Sequence, residues 1–169
     1  MPSVCPHSLT KPQNLLMLIG VSLLLHAPLA LGWSFAPPFF RRRPKSVFTA
    51  LAPAAIGPYS QAVLAPDRKT LYVSGCIGLD PSGKFAGPTV EEQTRQALTN
   101  LIAIVTEAGG TATSVVKTTV LLTKDMSSYA SVNAIYAEYF SEAKPARAAF
   151  AVSALPAGAL VEIDCVACL

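Results

Sequence analysis

The stretch TVEEQTRQALTNLIAIVTEAGG (Thr89–Gly110), followed closely by VVKTTVLLT (Val115–Thr123), decides the fold class. Thr89 and Glu92 stand at capping-box spacing, at which a hydroxyl and a carboxylate can each satisfy a backbone N–H that the first helical turn leaves unpaired. Apolar residues recur at Leu98, Leu101, Ile102, Val105 and Ala108, the period of one helix face, and Gly109-Gly110 supplies a stop. The run after it is crowded with β-branched residues, which suit a pleated and half-buried strand.

Upstream, Gly57-Pro58 opens a run from Tyr59 to Ala65, Pro66-Asp67 closes it, and Thr70–Ile77 follows, so two strands joined by a tight turn are expected. Asp80-Pro81-Ser82-Gly83 reads as a turn, and Lys84 to Ala86 as a short third strand. Downstream, Asp125 is placed to cap a second helix whose apolar stripe is Tyr129, Val132, Tyr136 and Tyr139 or Phe140. Arg147–Leu155 and Leu160–Cys168 are expected to close the chain as a strand pair around Pro156-Ala157-Gly158. In the last run Val161, Ile163, Cys165 and Ala167 share one face, while Glu162 and Asp164 share the other. The order predicts a single α+β domain, a sheet with both helices on one side.

Charge and targeting signals set the N-terminal region apart. Lys11, Arg41, Arg42, Arg43 and Lys45 are the only charged residues before Leu51; the remainder carries eight basic and ten acidic residues, a net of −2. Leu15–Ala30 is a continuous apolar stretch behind Lys11, as in a signal-peptide core, and short for a membrane span, which leaves an uncleaved anchor as the lesser alternative. The basic, acid-free, proline-rich segment Phe35–Ser46 has the composition of a transit peptide. Residues 1–50 are therefore expected to be a removable presequence, signal peptide to about residue 34 and transit-like from 35 to 50, with the domain spanning 51–169. The pair of signals resembles the bipartite presequences of algae with secondary plastids, on the junction Ser34-Phe35-Ala36-Pro37, which implies a plastid address; secretion and mitochondrial import are the alternatives. No membrane association is expected once the presequence is gone.

Both histidines, His7 and His26, precede Leu51, so the domain can run neither a Ser-His-Asp nor a Cys-His mechanism, nor hold a histidine-ligated zinc. Its net negative charge argues against a stable nucleic-acid partner. The thiols Cys76, Cys165 and Cys168 are odd in number, and Cys165-Val166-Ala167-Cys168 sits in an alternating strand, where residues three apart face opposite sides, which favours ordinary small apolar residues over a redox pair.

Several blocks in order, Ile56-Gly57-Pro58-Tyr59-Ser60-Gln61, Val73-Ser74-Gly75, Val116-Lys117-Thr118-Thr119-Val120, Val132-Asn133, Pro145-Ala146-Arg147-Ala148-Ala149-Phe150, Leu155-Pro156 and Val161-Glu162-Ile163, resemble the RidA (YjgF-type) family of imine deaminases over nearly all of Ala52–Leu169. The Ala-Arg-Ala-Ala-Phe block looks like the branch that includes animal members. The resemblance implies a chorismate-mutase-like homotrimer, a mixed sheet with two helices on one face in each subunit, and an active site in each cleft between subunits. It implies hydrolysis of 2-aminoacrylate and 2-imino acids to 2-oxo acids and ammonia, with neither cofactor nor metal.

Taken alone, Arg147 reads equally as a planar clamp for a substrate carboxylate or as half of a salt bridge to Asp164 or another acid. Glu162 alone reads as a solvated strand glutamate. The resemblance selects the carboxylate clamp for Arg147 and a water-activating proton shuttle for Glu162. By the same likeness Tyr59 shapes and closes the site, Gly75 and Ala149 offer backbone N–H groups to the substrate with Ser74 nearby, and Asn133 supports from the second helix. Cys76 departs from the family, which usually has Gln there, so site polarity and thiol oxidation become open questions. RNA cleavage or translation inhibition, and a non-catalytic binding or chaperone-like trimer, are the competing functions.

Overall fold

The computed structural model describes residues 42–169, so the apolar run Leu15–Ala30 and the junction Ser34-Phe35-Ala36-Pro37 lie outside the described residues. The elements run β1 (Lys45–Val47), β2 (Ala62–Leu64), β3 (Thr70–Ile77), α1 (Val90–Glu107), β4 (Val115–Thr123), α2 (Tyr129–Phe140), β5 (Ala146–Val152) and β6 (Val161–Cys168). The sheet order is β1-β2-β3-β6-β4-β5, antiparallel throughout except for the parallel β4/β5 pair. This is the α+β architecture that the element order predicts, with the mixed sheet that the resemblance implies.

The capping box at Thr89 and Glu92 forms, and α1 ends where Gly109 takes φ +94, a left-handed conformation that favours glycine. The alternation of β6 settles the core: Val161, Ile163, Cys165 and Ala167 are buried. They join Leu71 and Val73 of β3 and Val120 and Leu122 of β4 beneath Leu98, Leu101 and Val105 of α1 and Val132, Ile135 and Phe140 of α2. Each large side chain fully buried in this way stabilises the fold by about 1.5–3 kcal/mol. Both helices thus cover one face, whereas Tyr72 and Phe150, each more than half exposed, stand outside that core.

Four expectations need correction. β5 and β6 are not a hairpin, because β4 lies between them. A β4/β5 pair in parallel needs a crossover, which α2 supplies, and the wide turn through Pro156–Gly158 then carries the chain back so that β6 enters between β3 and β4. Asp125 does not cap α2: its carboxylate accepts from the N–H and hydroxyl of Ser127, closing the turn before the helix, and Ser128 occupies the N-cap position. The expected strand Tyr59–Ala65 shrinks to Ala62–Leu64. Lys84–Ala86 forms only an isolated bridge between Leu79 and Phe85, because Asp80 accepts from the N–H groups of Ser82 and Lys84 and holds that segment as a tight turn.

Ordered contacts also extend upstream of Leu51. Lys45, Ser46 and Val47 pair with Leu64, Val63 and Ala62, and the buried Thr49 donates its N–H to Gln61 Oε1 at 2.7 Å. Among the described residues, pairing with the sheet therefore already includes Lys45–Val47, within the segment expected to contribute nothing to the fold. Val47 alone is buried enough to matter by about 1.5–3 kcal/mol, and each lost hydrogen bond adds about 1. A chain beginning at Leu51 should accordingly be about 2–5 kcal/mol less stable in urea denaturation than one beginning at Arg42; equal midpoints would show that β1 is dispensable.

Candidate functional site

Across β3 and β6 the register runs Val73 opposite Cys165 and then Cys76 opposite Ile163, so Ser74 and Gly75 together face a single residue. Such a bulge turns local groups out of the ladder. The Glu162 carboxyl occupies the space it opens: a Cβ on Gly75 would meet Glu162 Oε1 at 1.9 Å and Cδ at 2.6 Å, so no side chain fits at this position. Ser74 is fixed by its N–H donating to Gln61 O at 3.0 Å and its hydroxyl to Ser60 O at 2.7 Å.

Glu162 has neither a hydrogen-bond partner nor an ion-pair partner among the described residues. Burial, and secondarily the neighbouring Asp164, raise its carboxyl pKa. Because the folded state holds this proton more tightly than the unfolded chain, Glu162 favours the fold below the ordinary glutamate range and weakens it as pH rises through the raised value. Ile56, Tyr59, Ser74, Gly75, Ile77 and Pro156 complete a chamber of about 350 Å³ around it.

The loop bearing Tyr59 is tied down from beneath. The Gln61 amide, buried, donates to Thr49 O, Ala52 O and Pro53 O while its oxygen accepts from Thr49 N–H. Within the loop the Tyr59 hydroxyl accepts from Ile56 N–H at 3.2 Å. Tyr59 itself is half exposed and stands at the chamber mouth.

Arg147 lies elsewhere. It opposes Thr118, which is fully buried on the helix-covered face and hydrogen-bonded to the Tyr136 hydroxyl at 2.8 Å. The guanidinium donates to the Tyr129 hydroxyl at 2.8 Å and sits 4.6 Å from the centre of the Tyr136 ring, a cation–π placement that fixes the plane of the fork. Among the described residues the only ion pair is Arg95–Glu138, between the helices. The salt bridge from Arg147 to Asp164 is therefore not formed, and Asp164 points to the opposite face. Arg147 borders an open groove of about 410 Å³ together with Asn133, Tyr136 and Lys144.

One chain thus holds two half-sites. Tyr59, Ser74, Gly75 and Glu162 come together; Arg147 of β5 and Asn133 of α2 come together, and Ala149 lies on the Arg147 strand with its side chain against the main core. Glu162 pairs with Leu121 and Leu121 with Phe150, so Arg147 is two strands across and three residues back, roughly 14 Å between Cα positions, on the other face. Sequence reading missed Ile56, Ile77 and Pro156 as lining, Gln61 as the loop anchor, and Tyr129 and Tyr136 as the supports of Arg147. The seven-residue spacing of the two tyrosines, two helical turns, was the available signal. Cys76 is buried on the helix side, where burial above all pushes its thiol far up and keeps it protonated, which makes it a poor target for oxidation.

Comparison with known proteins adds four findings. The family model described as "Endoribonuclease L-PSP" matches residues 49–169. The 2-iminobutanoate/2-iminopropanoate deaminase of Bos taurus is 52% identical over 124 residues, covering 73% of this chain and 88% of that protein. Reactive Intermediate Deaminase A, chloroplastic, of Arabidopsis thaliana is 47% identical over 124 residues, covering 73% and 65%. Among solved structures, a putative endoribonuclease L-PSP from Entamoeba histolytica superposes with a TM-score of 0.71 at 50% identity, covering 75% of this chain and 99% of that one.

The seat of Glu162 on Gly75 can be tested by stability alone. Gly75→Ala should cost about 1–3 kcal/mol through steric conflict with the carboxyl. Combining it with Glu162→Ala, which removes the clashing atoms, should cost less than the sum of the two single changes, read by denaturant unfolding. Strict additivity would mean that the two positions do not press on each other.

Proposed function

The chain belongs to the endoribonuclease L-PSP (YjgF/RidA) family, and from that premise we propose that it hydrolyses reactive 2-enamine and 2-imino acids to 2-oxo acids and ammonia, at sites completed between the subunits of a homotrimer. The observation that carries the reading is the half-buried, unpaired Glu162 carboxyl seated on Gly75, with its pKa raised. A carboxylate so placed is a better base than a solvated one, and a carboxylic acid regenerated there near neutral pH can return its proton.

Hydrolysis then needs three things. A guanidinium fork, Arg147, grips the substrate carboxylate, and its tyrosine supports leave other N–H donors for that purpose. Glu162 takes a proton from water as the oxygen bonds to C2 and the C=N electron pair moves to nitrogen, giving a carbinolamine. The same carboxyl then protonates the nitrogen, the C–N bond breaks with its electron pair leaving on ammonia, and the hydroxyl passes its proton to the Glu162 carboxylate as the carbonyl forms. Gly75 and Ala149 are assigned backbone N–H contacts to the substrate, with Ser74 and Tyr59 closing the chamber and Asn133 supporting from α2. No metal or redox cofactor enters this chemistry.

The trimer is supported by what one chain leaves unfinished. Glu162 and Arg147 do not meet within it, Tyr72 and Phe150 are exposed, and the outer edge of β5 is unpaired in the sheet order. A head-to-tail ring of three copies closes such edges and can bring the Arg147 side of one subunit to the Glu162 side of the next. RNA cleavage draws less support, since residues 51–169 contain no histidine and carry a net charge of −2. For the segment preceding the folded body, the acid-free basic composition and the chloroplast-located relative support a plastid address.

Arg147→Ala should lower kcat/KM for 2-iminobutanoate by about 30-fold to several thousand-fold, the cost of removing one partner of a close charge pair, with Lys restoring part of the loss. Glu162→Gln should lower kcat by about 10²–10⁴-fold with substrate binding largely kept. Wild-type kcat/KM should also fall on the acid side with a midpoint above the ordinary glutamate value of about 4.3, because the base form is lost there, and this limb should vanish in Glu162→Gln. Ammonia release from freshly generated imino acid checks all three; folded variants as fast as the parent would remove the assignment.

A further inference from the structure

Behind the chamber lies a second, smaller cavity of about 40 Å³, between the Tyr59 loop, the end of β3 and α1. The two adjoin, sharing Ile56, Tyr59, Ser74, Gly75 and Ile77 as lining. Beyond these shared residues the inner cavity is walled by Ala55, Cys76, Leu79 and Ile104, all apolar, of which Cys76, Leu79 and Ile104 are buried.

Four polar side chains also touch it, and each is already engaged, the Tyr59 hydroxyl by accepting from Ile56 N–H. Gln61 has its amide spread over Thr49, Ala52 and Pro53. Asn100 donates to Ile77 O and Leu79 O and accepts from Gln96. The Ser74 hydroxyl donates to Ser60 O. A water needs two to four polar partners to settle in such a space, whereas an apolar cavity receives apolar groups. A charged or hydroxylated group would leave its own donors unpaired there, at a cost larger than the contact gains. By volume, against a cavity of about 150 Å³ that takes benzene, the space suits about two carbon atoms.

We propose that this cavity is the subsite for the substrate's side chain, selecting 2-imino acids with short unbranched apolar chains over polar ones, with Cys76 as the residue that sets its depth. The proposal rests on the reading of Glu162 as the group that acts on C2, because that places the substrate's C3 beside the Ser74–Gly75 bulge, which lines both cavities. A larger residue at position 76 would fill the space; the compact thiol leaves it open, and its burial keeps it out of the chemistry.

The stable 2-oxo acid products make suitable probes, titrated calorimetrically into the full-length protein. Affinity should tighten about fourfold per added carbon from 2-oxopropanoate to 2-oxobutanoate to 2-oxopentanoate, as burial of a methylene predicts, and then stop rising at 2-oxohexanoate. Cys76→Leu should flatten that series. Ala55→Leu, which narrows the same cavity from the loop side without touching the core strand, should flatten it as well and keeps the test informative if the first variant does not fold. A gradient that persists in the folded Ala55→Leu protein, or no gradient in the parent, overturns the subsite. Ammonia release from 2-iminobutanoate is measured alongside: release without a length gradient sinks the subsite and leaves the deaminase reading standing, whereas a gradient abolished by both variants without ammonia release keeps the subsite and sinks the deaminase.

Discussion

The contact on which the site depends is the Glu162 carboxyl lying where any side chain on Gly75 would have to be. It follows from two sequence-level facts. The alternation of β6 puts Glu162 on the face opposite Val161 and Ile163, and the extra residue in β3 bends that strand so that its glycine passes directly beneath. The carboxyl gains a close backbone surface and loses water, which raises its pKa and makes it a group able to accept and return a proton in one cycle.

The rest of the chamber is built to keep that contact. Gln61 joins the segment after β1 to the Tyr59 loop through its amide, and its backbone oxygen receives the Ser74 N–H at the bulge itself. One buried glutamine therefore connects the N-terminal strand, the loop that roofs the chamber and the residue beside Gly75. This is the physical reason for the stability loss expected of a chain beginning at Leu51: β1 and Thr49 are part of the support for the roof. The second half-site has its own support in Tyr129 and Tyr136, which hold the Arg147 fork on the other face of the sheet.

Much of the fold was legible in the sequence because local signals and tertiary demands agree in it. The capping box, the apolar period of α1 and the alternation of β6 each state one choice, and packing ratifies it. What was not legible depends on pairing at a distance. Nothing local distinguishes a β5/β6 hairpin from β6 inserted between β3 and β4, and a short strand such as Lys45–Val47 has no period to read beside a basic leader. Likewise the chemical residue types of the site could be picked out, Glu162 and Arg147 through their motif blocks, but not their separation. Strand alternation places Glu162 relative to its own strand; only the registers of β4 with β5 and β6 show that Arg147 faces the other way.

That separation makes the central claim testable by mixing subunits. An Arg147→Ala protein retains Glu162, and a Glu162→Gln protein retains Arg147, so each is disabled in a different half-site. If Arg147 of one subunit serves Glu162 of its neighbour around a closed ring, random co-assembly of equal amounts leaves intact pairs at roughly a quarter of the clefts. Imine hydrolysis by the co-assembled mixture should then recover to roughly a quarter of the wild-type rate, far above either parent; a mixture no faster than the better parent would contradict a site shared between subunits.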